Sequence, residues 1–258
     1  MTGDQFGLLT GMFKLERDQK EPGPITGDIF RYTDIDKNSQ WFNTTTNDFA
    51  SEDEVGRVRI PENLKPNSSR FSYIFYPQQH LLFYEGYYDG SSIGPRSAER
   101  FFDRLLNDPH IAEEYGRVDV THIPEVDALS KALKLRHKER IELTVKRPNP
   151  DDHADAERQV LERMRAQNVE LYEQKYKAVH GQSIEMDNDL STMAYVSAKN
   201  GSFYVKGKDE SFRPVEFSTV NHPLKIIEYY DPDVDLTFNV FSRIASSMKD
   251  TLVKLFKK

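Results

Sequence analysis

Residues 70–88 read RFSYIFYPQQHLLFYEGYY. Successive side chains of a strand point to opposite faces, so Phe71, Tyr73 and Phe75 share one face of a first strand. Pro77-Gln78-Gln79-His80 then turns the chain into a second strand, LLFYEGYY. So much alternating aromatic surface demands an antiparallel sheet with one face covered by another layer. The rest of the chain must supply that cover.

The preceding residues continue the sheet. GLLTGMFKLE and ITGDIFRYTDI read as strands separated by the breaker Glu21-Pro22-Gly23-Pro24, and the polar tract NTTTNDFASEDE reads as an exposed loop. After the hairpin, Ser97 caps an expected helix through Phe101, Phe102, Leu105 and Leu106, ending near Asp108-Pro109. RVDVTHI (117–123) reads as a strand, Pro124 to about Lys134 as a helix, and RIELTVK (140–146) as a strand. That order predicts an α+β protein with a largely antiparallel sheet and a ferredoxin-like ββαβαβ portion.

Residues 150–179 hold strong helix formers with no internal Gly or Pro until His180-Gly181, which predicts one long central helix. Short strands follow around Ala194–Val196, Ser202–Val205, Val215–Ser218 and Leu224–Tyr229, with Lys199-Asn200-Gly201 as a hairpin turn. Phe241, Ile244, Ala245, Met248, Leu252, Leu255 and Phe256 recur at helical spacing, which predicts a C-terminal amphipathic helix. The expected division is an N-terminal α+β region, residues 1–147. The long helix, a second small β region and the last helix make up 148–258.

Composition narrows the chemistry. With no cysteine among 258 residues there is no disulfide, thiol nucleophile or thiolate metal site. No apolar run is long enough to cross a bilayer, and MTGDQFGLLTGMFK lacks the basic start and apolar stretch of a secretory signal. A cytoplasmic protein without membrane contact is expected. No phosphate-binding glycine loop, dinucleotide fingerprint or G-x-S-x-G elbow occurs, and no cofactor or catalytic residue is assigned.

The formal net charge of −7 excludes attraction of the whole molecule to nucleic acid, so any such binding needs a local basic surface. One segment supplies it. Lys131, Lys134, Arg136, Lys138, Arg140, Lys146 and Arg147 face only Glu139 and Glu142 within their own run, and the charge changes sign immediately afterwards. These seven are the candidate phosphate-contacting residues; the bland alternative is a solvated helix face with its loop.

Asp151, Asp152, His153 and Asp155 follow directly and form a metal-ligand candidate, Asp151 and Asp155 being neighbours one helical turn apart. The competing reading is a helix start, with Asn149 as N-cap, Pro150 at the first position and the acids facing free N–H groups. The aromatic strands also invite comparison with base-stacking platforms, although a sheet core has the same pattern. Arg104 and His110 have a ribonuclease-like spacing, but Asp108-Pro109 breaks the helix between them.

The strings ITGDIFRYTDIDKNSQWFN, RIPENLKPN, AERFFDRLL and IELTVKRPNPDD resemble a bacterial family, domain of unknown function 4747. Its members tend to begin further upstream, and the resemblance implies that this chain lacks an N-terminal strand and helix that they have. More distantly, the middle of the chain is similar to the phage-exclusion protein RexA and the KwaB protein of the Kiwa system. The shared features are an aromatic hairpin, a helix, a strand and a long helix. That resemblance implies a DNA-contacting, dimeric antiviral-defence protein and transfers no catalytic residue. Three readings follow: a nucleic-acid-binding defence component preferring DNA to RNA, a metal-dependent nuclease or other hydrolase, and a non-enzymatic adaptor. The adaptor would dock a second copy or a partner protein through its C-terminal helix.

Overall fold

The computed structural model describes residues 5–18, 20, 22–36, 38–146 and 155–256. The protein is α+β, built from antiparallel sheets and several helices, in two compact units, residues 1–101 and 102–258. Sequence reading placed its division at 147.

The first unit holds the aromatic hairpin. Strands β1 (Gln5–Lys14) and β2 (Ile25–Thr33) pair antiparallel. Two short strands, β3 (Phe42–Asn43) and β4 (Asp48–Phe49), and helix α1 (Glu52–Gly56) precede β5 (Ser69–Tyr76) and β6 (Leu81–Tyr84). The sheet order is β1-β2-β5-β6. Phe71 and Tyr73 are buried with Ile29 on β2 and Phe75 is half-buried, but Ile74 and Tyr76 on the opposite face are buried as well, so alternation does not divide β5 into a covered and an open face. Gly27 has a physical reason to be glycine: a Cβ there would stand 2.0 Å from the Gly11 carbonyl oxygen. The β5–β6 connection is a 3-10 turn closed by His80 in the left-handed region, φ 50°. Strands β7 (Tyr87–Tyr88) and β8 (Ser91–Ser92) pair separately.

Helix α2 (Pro95–Leu106) carries the chain across the boundary, and Asp108 caps a further helix, α3 (Pro109–Tyr115). The expected strand over 117–123 is absent. The side-chain amide of Asn107 instead satisfies the backbone of Val118, donating to its carbonyl at 2.8 Å and accepting from its N–H at 2.9 Å. A side chain has taken the place of a neighbouring strand.

The second unit is organised on β9 (His137–Lys146), which α4 (Val126–Leu133) precedes. Helix α5 (Asp155–Ala166), β10 (Leu171–Lys177), α6 (Asn188–Asn200), β11 (Gly201–Lys208), β12 (Pro214–Ser218) and α7 (Thr237–Phe256) complete it. The sheet order is β10-β9-β11-β12, antiparallel throughout. The expected ββαβαβ layer is thereby corrected: the hairpin and β9 lie in separate four-stranded sheets.

Two helix assignments also change. The long helix stops at Ala166, because Asn168 adopts φ 53° and the Asn168 and Val169 N–H groups return to Arg165 and Met164 oxygens at 3.1 and 2.8 Å. That is a Schellman stop, and LYEQKYK then pairs with β9 as an edge strand. Residues 194–196, expected as a strand, belong to α6, whose N-cap Asp187 accepts from Leu190 N–H at 2.7 Å. Gly201 is therefore a helix-to-strand junction, not a hairpin turn. A Cβ there would meet the Thr144 carbonyl oxygen at 2.2 Å. Leu224–Tyr229 forms no strand; a single bridge joins Pro124 to Pro223, and neither proline has an N–H to extend it.

Ile141 and Leu143 on β9, Phe203 and Val205 on β11, Phe217 on β12, and Leu190, Ala194 and Ala198 on α6 form the main core. Small residues on α6 let it lie close to the sheet. Val145, Met164 and Val196 form a second cluster where α5 meets α6.

Candidate nucleic-acid interface

With Ile141, Leu143 and Val145 turned into the core, alternation sends Arg140, Glu142, Thr144 and Lys146 to the outer face of β9. The register then decides what stands beside them. Arg140 pairs with Lys177 on β10 and with Lys206 on β11, giving a row of three cations across three adjacent strands. Like charges directly opposite one another destabilise a sheet.

Two carboxylates offset the row. Glu142 receives Lys175 at 3.1 Å and also contacts Arg140, while Glu216 receives Lys206 at 2.9 Å. Burial pushes the Glu142 carboxyl up, but hydrogen bonds from Lys175 and Arg140 more than offset that and hold it below the ordinary carboxylate range. The Lys206 hydrogen bond does the same for Glu216, to which the Tyr204 hydroxyl also donates. Burial raises Tyr204 itself, with Glu216 adding to the effect. Side chains on this face stay solvated: Arg140 and Lys206 are each 45% exposed and Lys175 is 62% exposed. Exposed pairs of this kind add little stability.

The seven sequence-predicted cations meet different fates. Lys131 lies in the last turn of α4 and Lys134 caps it, both exposed at a helix end where cations are favoured. Arg136 is exposed, with its guanidinium 5.0 Å from the centre of the Phe212 ring. Arg140 sits in the cation row, and Lys146 pairs with Asp119 at 3.2 Å. Lys138 is corrected: it is buried, its Nζ donating to the Leu135 carbonyl at 2.7 Å, so it does not face a phosphate. Arg147 lies outside the described residues.

The metal candidates Asp151, Asp152 and His153 also lie outside them, together with the proposed caps Asn149 and Pro150; Asp155 begins α5. Among the described residues no group of three or more His, Asp or Glu is placed to hold a metal.

Lys175, Lys177, Lys206 and Lys208 were missed as site residues. The signal was present in LYEQKYK and SFYVKGK, where lysines alternate with aromatic or apolar residues. Helix propensity conceals the first string, while the second reads as a short strand around Ser202–Val205 that stops before Lys206 and Lys208. In the C-terminal helix Ala245 and Leu252 of the predicted stripe are buried, as is Val240, while Phe241, Ile244 and Met248 are half-buried. Among the described residues no helix is long and apolar enough to cross a membrane.

The fold and face define an α+β protein whose second sheet presents a charged, solvent-facing ladder with three cations abreast. The chain belongs to the family described as Domain of unknown function (DUF4747), whose model matches residues 1–246. No curated protein and no solved structure matches it significantly.

Proposed function

We propose that this protein binds nucleic acid through the outer face of the second sheet and the adjoining end of α4, as a component of a bacterial antiviral defence system. The Lys177–Arg140–Lys206 row carries this reading. A sheet that sets like charges side by side needs anions beside them, here Glu142 and Glu216, and a phosphate backbone is a ligand that can compete for the same cations. Lys131, Lys134 and Arg136, exposed at the end of α4 and just before β9, are further candidate contacts, although α4 itself packs through Leu129 and Ala132 on the inner side of the sheet. Such contacts fix position on the ligand and read no base sequence. With a net charge of −7, binding depends on this local face and weakens steeply with salt.

The defence setting comes from the resemblance to RexA and KwaB. Of the features behind it, the aromatic hairpin stands and the long helix is replaced by α5 and β10.

The test is fluorescence anisotropy with labelled oligonucleotides at low salt. Wild-type protein binds, and Lys177→Glu/Lys206→Glu weakens binding by about tenfold or more, since each lost phosphate contact removes attraction and each new acid adds repulsion. Absence of wild-type binding, or equal binding by the folded variant, overturns the proposal. Plaque counts on cells expressing the protein test the defence setting; equal counts with and without expression remove that part.

A further inference from the structure

The β11–β12 connection holds an aromatic residue where burial gives no reason for one. Asp209 builds the turn. Its Oδ1 accepts from the Ser211 and Arg213 N–H groups at 2.8 and 2.9 Å, and its Oδ2 accepts from Arg213 Nε at 3.0 Å. Backbone bonds from Phe212 N–H to Asp209 oxygen and from Asp209 N–H to Arg213 oxygen, both 3.0 Å, close it. Inside this frame Phe212 adopts φ 58°, the left-handed region that suits Gly or Asn and disfavours a bulky side chain. The strain is not repaid by burial, because Phe212 is 60% exposed. An outlier held by a well-bonded frame points to use of the side chain it displays.

Its surroundings specify the use. The Arg136 guanidinium lies 5.0 Å from the ring centre, in cation–π range. Lys208, the last residue of β11, immediately precedes the turn, pairs in register with His137, the neighbour of Arg136, and lies 3.5 Å from the Glu139 carboxylate, which a phosphate would displace. Lys208 lies two positions along the strand from Lys206 in the cation row, about 7 Å away. An exposed aromatic ring, preset by its backbone and next to a line of cations, is the arrangement that binds single strands: bases stack on the ring while cations track the phosphates. A base inside a duplex is already stacked on its neighbours and does not offer its face. Asp209 does not oppose this, because its charge is taken up by Arg213.

We infer that Phe212 and Arg136 form a stacking platform for an unpaired base, so that the ligand is single-stranded nucleic acid or a duplex with an unpaired end. This rests on the reading of the cation row as a phosphate surface.

The experiment compares a labelled oligothymidylate with a blunt duplex, using wild-type protein, Phe212→Ala, Phe212→Gly, Phe212→Trp and Lys177→Glu/Lys206→Glu. Base–aromatic stacking contributes about 1–3 kcal/mol per base, so Phe212→Ala weakens oligothymidylate binding roughly 5- to 150-fold and leaves duplex binding unchanged. Phe212→Gly relieves the backbone, so its melting temperature stays level or rises while single-strand binding falls as for Ala. Phe212→Trp retains binding. Equal oligothymidylate affinity for wild type and Phe212→Gly overturns the platform; so does a loss shared equally by both probes. If charge reversal abolishes binding while the Phe212 variants change nothing, the phosphate surface stands and the platform alone fails. If wild type binds neither probe, both fail.

Discussion

Lys138 donates its ammonium hydrogen bond to the Leu135 carbonyl at 2.7 Å, folding back within its own chain instead of facing solvent. The segment after β10 pins it there: Lys138 N–H donates to Ser183 Oγ at 2.9 Å and Ile184 N–H to the Lys138 carbonyl at 2.9 Å. Burial lowers its affinity for a proton, with Glu185 opposing that. Between the lowered value and the ordinary lysine value the unfolded chain holds more protons than the fold, so stability rises with pH in that window. Below it the penalty is fully present. Lys138→Met is expected to flatten this alkaline rise in urea-denaturation midpoints and to leave oligonucleotide affinity unchanged. A large loss of affinity in a well-folded Lys138→Met protein would show that the amine reaches the ligand.

Glu142 has the opposite effect on binding. It holds Lys175 and Arg140 in ion pairs that a phosphate must displace. Glu142→Gln is expected to tighten oligonucleotide binding at low salt and to steepen its salt dependence. The same substitution removes a carboxylate held below its ordinary range. Its stabilising contribution is present above the ordinary carboxylate value and disappears as pH falls through the lowered one, so the variant unfolds less steeply with acid. Unchanged affinity would mean that the row is not the contact surface.

Gly207 marks an irregularity in the β9–β11 register, and a Cβ there would stand 2.1 Å from the His137 carbonyl oxygen. The obstacle is backbone on the strand that leads out of Arg136. Gly207→Ala is expected to destabilise the protein by about 2 kcal/mol or more, read as a fall in the thermal midpoint. A midpoint equal to wild type would show that the strands separate locally without penalty.

Phe203 has no exposed surface, and its N–H donates to Thr219 Oγ1 at 3.0 Å. Phe203→Ala is expected to remove about 3–5 kcal/mol of stability. Thr219→Val leaves the buried N–H without this acceptor and is expected to remove about 1–3 kcal/mol. Urea denaturation checks both.

The sequence made the aromatic hairpin, α4, β9 and the terminal helix legible, because each has its own uninterrupted periodicity. It hid β10, since Glu, Gln and Lys favour helices and only the Asn168 stop separates LYEQKYK from α5. It hid α6 because MAYVS looks like a strand until Asp187 is recognised as its cap. Half of the candidate site was readable as a basic run. The other half was not, because Lys177 and Lys206 reach Arg140 only through pairing register, which one strand's sequence does not carry.

The central claim is that the outer face of the second sheet binds phosphates. The direct measurement is the slope of log K against log salt for oligonucleotide binding by wild type and by Lys177→Ala/Lys206→Ala. Each phosphate-neutralising cation contributes roughly 0.7–0.9 to that slope, so removing two is expected to flatten it by about 1.4–1.8. Identical slopes, or a wild-type affinity indifferent to salt, would contradict the account.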